Sequence, residues 1–100
     1  MKYGKWRSRY NRLVKEAKSI GLKVKLVPNK YTLDFIGNNP EAAKVLDMPC
    51  PKNTIVVDEF LNWKDRAETL KHEIVEYQEM KHEGMTYGEA HSIALVEEKY

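Results

Sequence analysis

The residues best suited to chemistry lie in a five-residue segment, HEIVE, that begins at His72 and ends at Glu76. Residues four apart on an α-helix lie one above the other on the same face, so His72 and Glu76 can reach one metal ion. Glu73 projects between these two side chains and the apolar side of the helix. From there its carboxylate can contact a water molecule on the metal without itself being a ligand.

A catalytic metal site needs a third protein ligand, with a fourth position left for water. His91 is the best candidate, because the turn at Gly84-Met85 folds the following helix back toward Glu76. Zinc accepts nitrogen and oxygen ligands and lowers the pKa of bound water to about 7, so a carboxylate can act as general base at neutral pH. The sequence therefore predicts one zinc ion held by His72, Glu76 and His91, with Glu73 as the catalytic base.

The C-terminal half predicts the elements that position these residues. A β-branched strand, Thr54–Asp58, precedes a long helix that starts near Asn62 or Trp63 and runs to Glu83. Thr86 and Glu89 have capping-box spacing and predict a last helix from Tyr87 to about Lys99. At 100° per residue, His72 falls about opposite the apolar ridge of the long helix, which is formed by Trp63, Ala67, Leu70, Ile74 and Tyr77.

The N-terminal half predicts a helix, a hairpin and a short helix. Ser8 can cap a helix that runs to Ile20, and Gly21 suits its C-terminal end. Alternating apolar residues predict strands at 22–26 and 31–35, joined as a hairpin, and Asn39-Pro40 opens the short helix. The result is one α+β domain over residues 1–100, with a small, mostly antiparallel three-stranded sheet packed on the active-site helix.

The strand Thr54–Asp58, the following helix and its His-Glu-x-x-Glu motif resemble the core of zincin metallopeptidases. The length of the chain is similar to that of the minigluzincins, minimal soluble metallopeptidase domains known from archaea. Gluzincins carry His-Glu-x-x-His and a downstream Glu, whereas this chain has Glu76 at the second position and His91 downstream. The set of two His and one Glu is the same, with two positions exchanged.

This resemblance implies a zinc-dependent hydrolase that cleaves peptide bonds, with Glu73 as base. It also implies that the strand Thr54–Asp58 forms the upper rim of the cleft and pairs with an extended peptide substrate. Some small relatives are latent because their own chain obstructs the cleft. The resemblance is therefore also compatible with a latent or inactive protein.

Charge is divided unevenly along the chain and supports a different class of function. Residues 1–30 hold ten Lys and Arg and one acidic residue, whereas residues 31–100 hold seven Lys and Arg and fourteen acidic residues. The basic segment 2–18 includes Tyr3, Trp6 and Tyr10, so it could bind phosphates and stack on bases. The alternative function is therefore a nucleic-acid-binding or protein-interaction module, and such a segment can also be only the solvated face of a helix.

Other interpretations of the same residues stay open at this stage. His72 and Glu76 could be solvated residues on an exposed helix face, and His91 a helix-edge residue. Glu79 and His82 have the Glu-x-x-His spacing of di-iron helices, although the chain has no second copy. Tyr31 and Tyr87 could stabilise an oxyanion or simply pack.

Composition indicates a cytoplasmic protein that does not enter membranes. Hydrophobic residues make up 42% and charged residues 32% of the chain, and its apolar runs are too short to cross a bilayer. A single cysteine, Cys50, excludes an internal disulfide and agrees with a reducing compartment, and its thiol could be a soft metal ligand. The first residues lack the apolar region of a secretory signal.

Overall fold

The computed structural model describes residues 2–28 and 36–98, with side chains described from residue 4 onward within these ranges. These residues form four helices and three strands, which confirms the predicted α+β class. The elements are α1 (Lys2–Ser19), β1 (Lys23–Val27), β2 (Gly37–Asn38), α2 (Pro40–Leu46), β3 (Thr54–Asp58), α3 (Trp63–Lys81) and α4 (Tyr87–Glu97).

The sheet is mixed rather than mostly antiparallel, with the strand order β1-β3-β2. β1 runs parallel to β3 from the pair Lys23–Thr54 to the pair Val27–Asp58, and β2 pairs with β3 antiparallel over two residues. All five residues of β3 are buried, so this strand takes the centre, where both edges can be hydrogen-bonded. The predicted strand at 31–35, and with it the hairpin, lies outside the described residues.

α1 and α3 pack on one face of the sheet and enclose the core. The predicted ridge of α3 is confirmed, because four of its five members are buried and the fifth, Trp63, packs partly buried against the core. α1 begins at Lys2, six residues before the predicted cap Ser8, since Trp6 also packs against the core. The fully packed cluster comprises Tyr10, Leu13, Ala17, Leu22, Ile55, Val57, Ala67, Leu70, Ile74 and Tyr77.

Capping residues set the ends of the helices around the site. Asn39 caps α2, and its side chain accepts hydrogen bonds from the backbone N–H groups of Glu41 and Ala42. Thr86 and Glu89 form the predicted capping box of α4. The long helix ends at Lys81, two residues before the predicted Glu83.

The start of α4 can be compared with its predicted range. The helix starts at Tyr87 as predicted and ends at Glu97, and Lys99 lies outside the described residues. The turn between α3 and α4 includes Gly84 in the left-handed region, with φ of 69°. This conformation favours glycine and lets α4 return along α3.

β2 approaches α3 so closely that only glycine fits at position 37. A Cβ atom there would lie 2.7 Å from Cγ2 of Thr69 and 3.3 Å from Cγ of Glu73. The first distance is shorter than real carbon contacts. Gly37 therefore sets the spacing between the sheet and the part of α3 that carries the candidate site.

We expect Gly37→Ala to destabilise the fold by about 1–3 kcal/mol, because the added methyl group must displace Thr69 or the backbone of β2. Urea denaturation measures this change in the free energy of unfolding. Gly88→Ala is the matched control, since a Cβ atom there meets nothing within 4 Å. Equal stability of the two variants would contradict the close packing at Gly37.

Candidate metal centre

The predicted site residues of α3 are buried, although they lie on the side of the helix opposite its apolar ridge. His72 is 8%, Glu73 6% and Glu76 2% exposed. α4 packs along this side of α3, and α2 contacts it as well. The interpretation of His72 and Glu76 as solvated side chains is therefore wrong.

The side chains of His72, Glu76 and His91 converge on one point. Oε2 of Glu76 lies 3.1 Å from Nε2 of His72 and 2.8 Å from Nδ1 of His91. The two imidazole rings meet edge to face, with their centroids 4.9 Å apart. One potential ligand atom from each residue lies within 4.8 Å of the others, so His72, Glu76 and His91 form a group that could hold a metal ion.

The other nitrogen of His72 is held by Glu98. Nδ1 of His72 donates to Oε1 of Glu98 across 2.7 Å. This partner fixes the orientation of the imidazole ring and directs Nε2 toward Glu76. Metal-binding histidines commonly have such an outer carboxylate, which increases the basicity of the ligating nitrogen.

Glu98 was not identified as a site residue from the sequence, although its spacing from His91 indicates that the two share a helix face. It follows His91 by seven residues, which is two helical turns, so both side chains belong to the same face of the final helical segment.

Glu73 is held in place by Asn39, the residue that caps α2. Nδ2 of Asn39 donates to Oε1 of Glu73 at 2.8 Å and to Oε1 of Glu76 at 3.1 Å. One amide group therefore links the predicted base to a predicted metal ligand. The sequence identified Asn39 only as a cap, because nothing local connects it with residues 34 and 37 positions further along the chain.

A cavity of about 220 Å³ opens over this cluster. Its floor is polar and is formed by the His and Glu side chains of α3 and α4. Its walls include apolar side chains from the segment before β2, from α2 and from α4. The lining residues are Ile36, Gly37, Asn38, Ala42, Leu46, Thr69, His72, Glu73, Glu76, Tyr87, His91, Leu95 and Glu98.

Burial and close charges change the pKa values of the cluster. Burial, reinforced by the negative charge of Glu76, raises the pKa of Glu73 to about 7. Burial alone would lower the pKa of His72, but its hydrogen bonds with Glu76 and Glu98 and the charge of Glu73 raise it to about 9. Burial opposes ionisation of Glu76, yet hydrogen bonds from His72 and His91 hold its pKa below its usual value.

Tyr87 forms part of the site by stacking on His91. The two rings are inclined by 26°, with centroids 5.3 Å apart, and Tyr87 lines the cavity. Burial and the negative charges of Glu76 and Glu73 raise the pKa of Tyr87, so its hydroxyl stays protonated and can donate. Tyr31, the other predicted oxyanion stabiliser, lies outside the described residues.

The remaining candidate ligands lie elsewhere. His82 is exposed and its ring faces Tyr77, at 6.4 Å between centroids. The thiol of Cys50 donates to the carbonyl of Thr54, and burial raises its pKa to about 11, which disfavours the thiolate that a metal would need.

The basic segment uses its described aromatic residues for packing. Tyr10 is buried and meets Trp63 edge to face, and the guanidinium of Arg9 lies over the ring of Trp6. Tyr3 lies outside the described side chains. Base stacking by Tyr10 would therefore require the core to open.

The strand predicted to form the cleft rim lies in the middle of the sheet. β3 pairs with β1 along its whole length and with β2 at Val56 and Val57. The strand that borders the cavity is β2, through Gly37 and Asn38. A peptide entering the cavity would therefore meet β2 before it met β3.

No protein family, curated protein or solved structure matches the chain in comparisons by sequence and by fold. The resemblance to the minigluzincins therefore stays a prediction drawn from the sequence. None of the helices described is both long and apolar enough to cross a bilayer.

We expect Glu76→Gln to lower the free energy of unfolding of the metal-free protein by about 3 kcal/mol. The substitution removes a buried charge and leaves the protonated His72 with only one of its two carboxylate partners, Glu98. Chemical denaturation in the presence of a chelator gives the value. Glu83→Gln, at an exposed position, is the control and should have little effect; a similar loss in both variants would contradict the role of Glu76 in the buried cluster.

Proposed function

We propose that the protein is a small zinc-dependent hydrolase that cleaves peptide bonds. His72, Glu76 and His91 hold the zinc ion, and Glu73 is the general base. The observation that carries this proposal is the convergence of two imidazole nitrogens on one carboxylate oxygen of Glu76, at 3.1 and 2.8 Å, beneath an open cavity.

The donor set favours zinc over the common alkaline-earth ions. Two imidazoles and one carboxylate are typical zinc ligands, whereas calcium and magnesium prefer oxygen ligands alone. Three protein ligands also leave a coordination position for water, whose pKa zinc lowers to about 7. Glu98 supports this assignment, because it orients His72 from the side opposite Glu76.

Glu73 is suited to proton transfer by its position. It is adjacent to His72 in sequence, lines the cavity and is held by Asn39, but it is outside the three-residue ligand group. Hydrolysis breaks the peptide C–N bond, adds the hydroxyl of water to the carbonyl carbon and gives the remaining proton to the amine. Glu73 takes that proton from water and delivers it to the leaving nitrogen.

The cavity and the sheet edge indicate how a peptide would bind. β2 is one of the two outer strands of the described sheet and borders the cavity, but both of its residues are buried, so an extended peptide would lie against it in the cavity rather than add to its edge. The resemblance to the zincins implied pairing along Thr54–Asp58. With β3 at the centre of the sheet, we propose that the peptide lies in the cavity beside β2 instead.

Zinc content is the first test. Protein purified without chelator should contain one zinc ion per chain by mass spectrometry, and His72→Ala or His91→Ala should lose it because each removes a ligand. His82→Ala is the matched control, since this exposed histidine lies outside the cluster. If all three variants retain zinc equally, or if the parent protein contains none, the proposed metal centre is wrong.

A second test separates metal binding from catalysis. Glu73→Gln should retain the zinc ion, since it removes no ligand, and should lower peptide cleavage by at least about 10²-fold, the usual contribution of a general base. Cleavage of a fluorogenic peptide library gives the rate, and Glu79→Gln on the same helix is the control. Cleavage by Glu73→Gln at the parental rate would remove Glu73 from the role of base.

A further inference from the structure

Asn39 makes more contacts than a helix cap requires. It is fully buried, and both ends of its amide are used. Oδ1 accepts from the N–H groups of Glu41 at 3.1 Å and Ala42 at 2.9 Å, while Nδ2 donates to the carboxylates of Glu73 and Glu76. These four hydrogen bonds fix which end of the amide faces the helix and which faces the site.

Capping alone does not explain asparagine at this position. Serine, threonine or aspartate would also accept from the first N–H groups of α2, but none carries the amide donor. Asn62 shows the simpler case, because it caps α3 from an exposed position and its side chain accepts only from the N–H of Asp65 in the contacts described. The amide nitrogen of Asn39 therefore has a second task, directed at the carboxylates.

That task is to occupy one carboxylate oxygen of Glu76 and leave the other to the two histidines. Nδ2 of Asn39 occupies Oε1 of Glu76, while Oε2 faces the nitrogens of His72 and His91. The same amide hydrogen-bonds Oε1 of Glu73 and holds this carboxylate next to Glu76 without adding charge. A carboxylate with one oxygen occupied in this way presents a single oxygen to an ion.

We propose that Asn39 is a positioning residue of the metal centre, which presents Oε2 of Glu76 as the one ligand oxygen and keeps Glu73 beside it. This inference rests on the metal binding proposed above. It connects α2, which forms a wall of the cavity, with the ligands on its floor. Without the amide, Oε1 of Glu76 is free to approach the ion as well, and the coordination number rises.

The test compares Asn39→Ser with Asn62→Ser. Both variants keep a capping hydroxyl, and only the first loses the amide that reaches the carboxylates. Zinc affinity is measured by competition with a chromophoric chelator, and coordination by the visible absorption of the Co²⁺-substituted protein, whose intensity falls as a four-coordinate site becomes five- or six-coordinate.

We expect Asn39→Ser to bind zinc about 10- to 100-fold more weakly, as for other outer partners of metal ligands, and to give a weaker cobalt spectrum. Asn62→Ser should match the parent in both measurements. Parental affinity and an unchanged cobalt spectrum in Asn39→Ser would overturn the positioning role and leave the metal site intact. Failure of the parent protein to bind either ion would instead overturn the metal site, and this role with it.

A measurement on the unsubstituted protein covers the case in which Asn39→Ser does not fold. Infrared difference spectra recorded on adding zinc distinguish a carboxylate bound through one oxygen from one bound through two, by the separation of its symmetric and antisymmetric stretching bands. We expect the wide separation of one-oxygen binding. The narrow separation of two-oxygen binding would contradict the proposal.

Discussion

A single buried carboxylate, that of Glu76, organises the packing of α2 and α4 on α3. It is only 2% exposed, so its charge must be compensated by hydrogen-bond donors within the protein. His72 supplies one donor from α3, His91 another from α4, and Asn39 a third from the start of α2. Satisfying this one group therefore fixes the relative positions of three helices.

Such a cluster is a costly way to build a small domain. Replacing a buried charged network by apolar side chains of similar size is often neutral or stabilising, so stability alone is a weak reason to keep two histidines and three carboxylates together. The network also extends outward, through Glu98 to His72 and through Asn39 to Glu73, beneath an open cavity. Buried charges that face a cavity and are held by outer partners are typical of functional sites rather than of structural ion pairs.

Local signals made much of the fold and the first candidate metal ligands predictable. Spacing of four residues placed His72 and Glu76 on one helix face, and the Thr86–Glu89 capping box fixed where the helix carrying His91 begins. The parallel pairing of β1 with β3 was not predictable, because it joins residues about 30 positions apart and no turn sets its register. Asn39 was missed for the same reason, since its contacts with Glu73 and Glu76 depend on how α2 packs against α3, whereas the spacing of Glu98 from His91 was a local signal.

The packing of α2 against α3 also links one wall of the cavity to its floor. α2 is short, and its first turn depends on Oδ1 of Asn39, while Nδ2 of the same side chain holds Glu73 and Glu76. Ala42 and Leu46 on this helix line the cavity. The shape of this cavity wall and the positions of both carboxylates therefore depend on the same side chain.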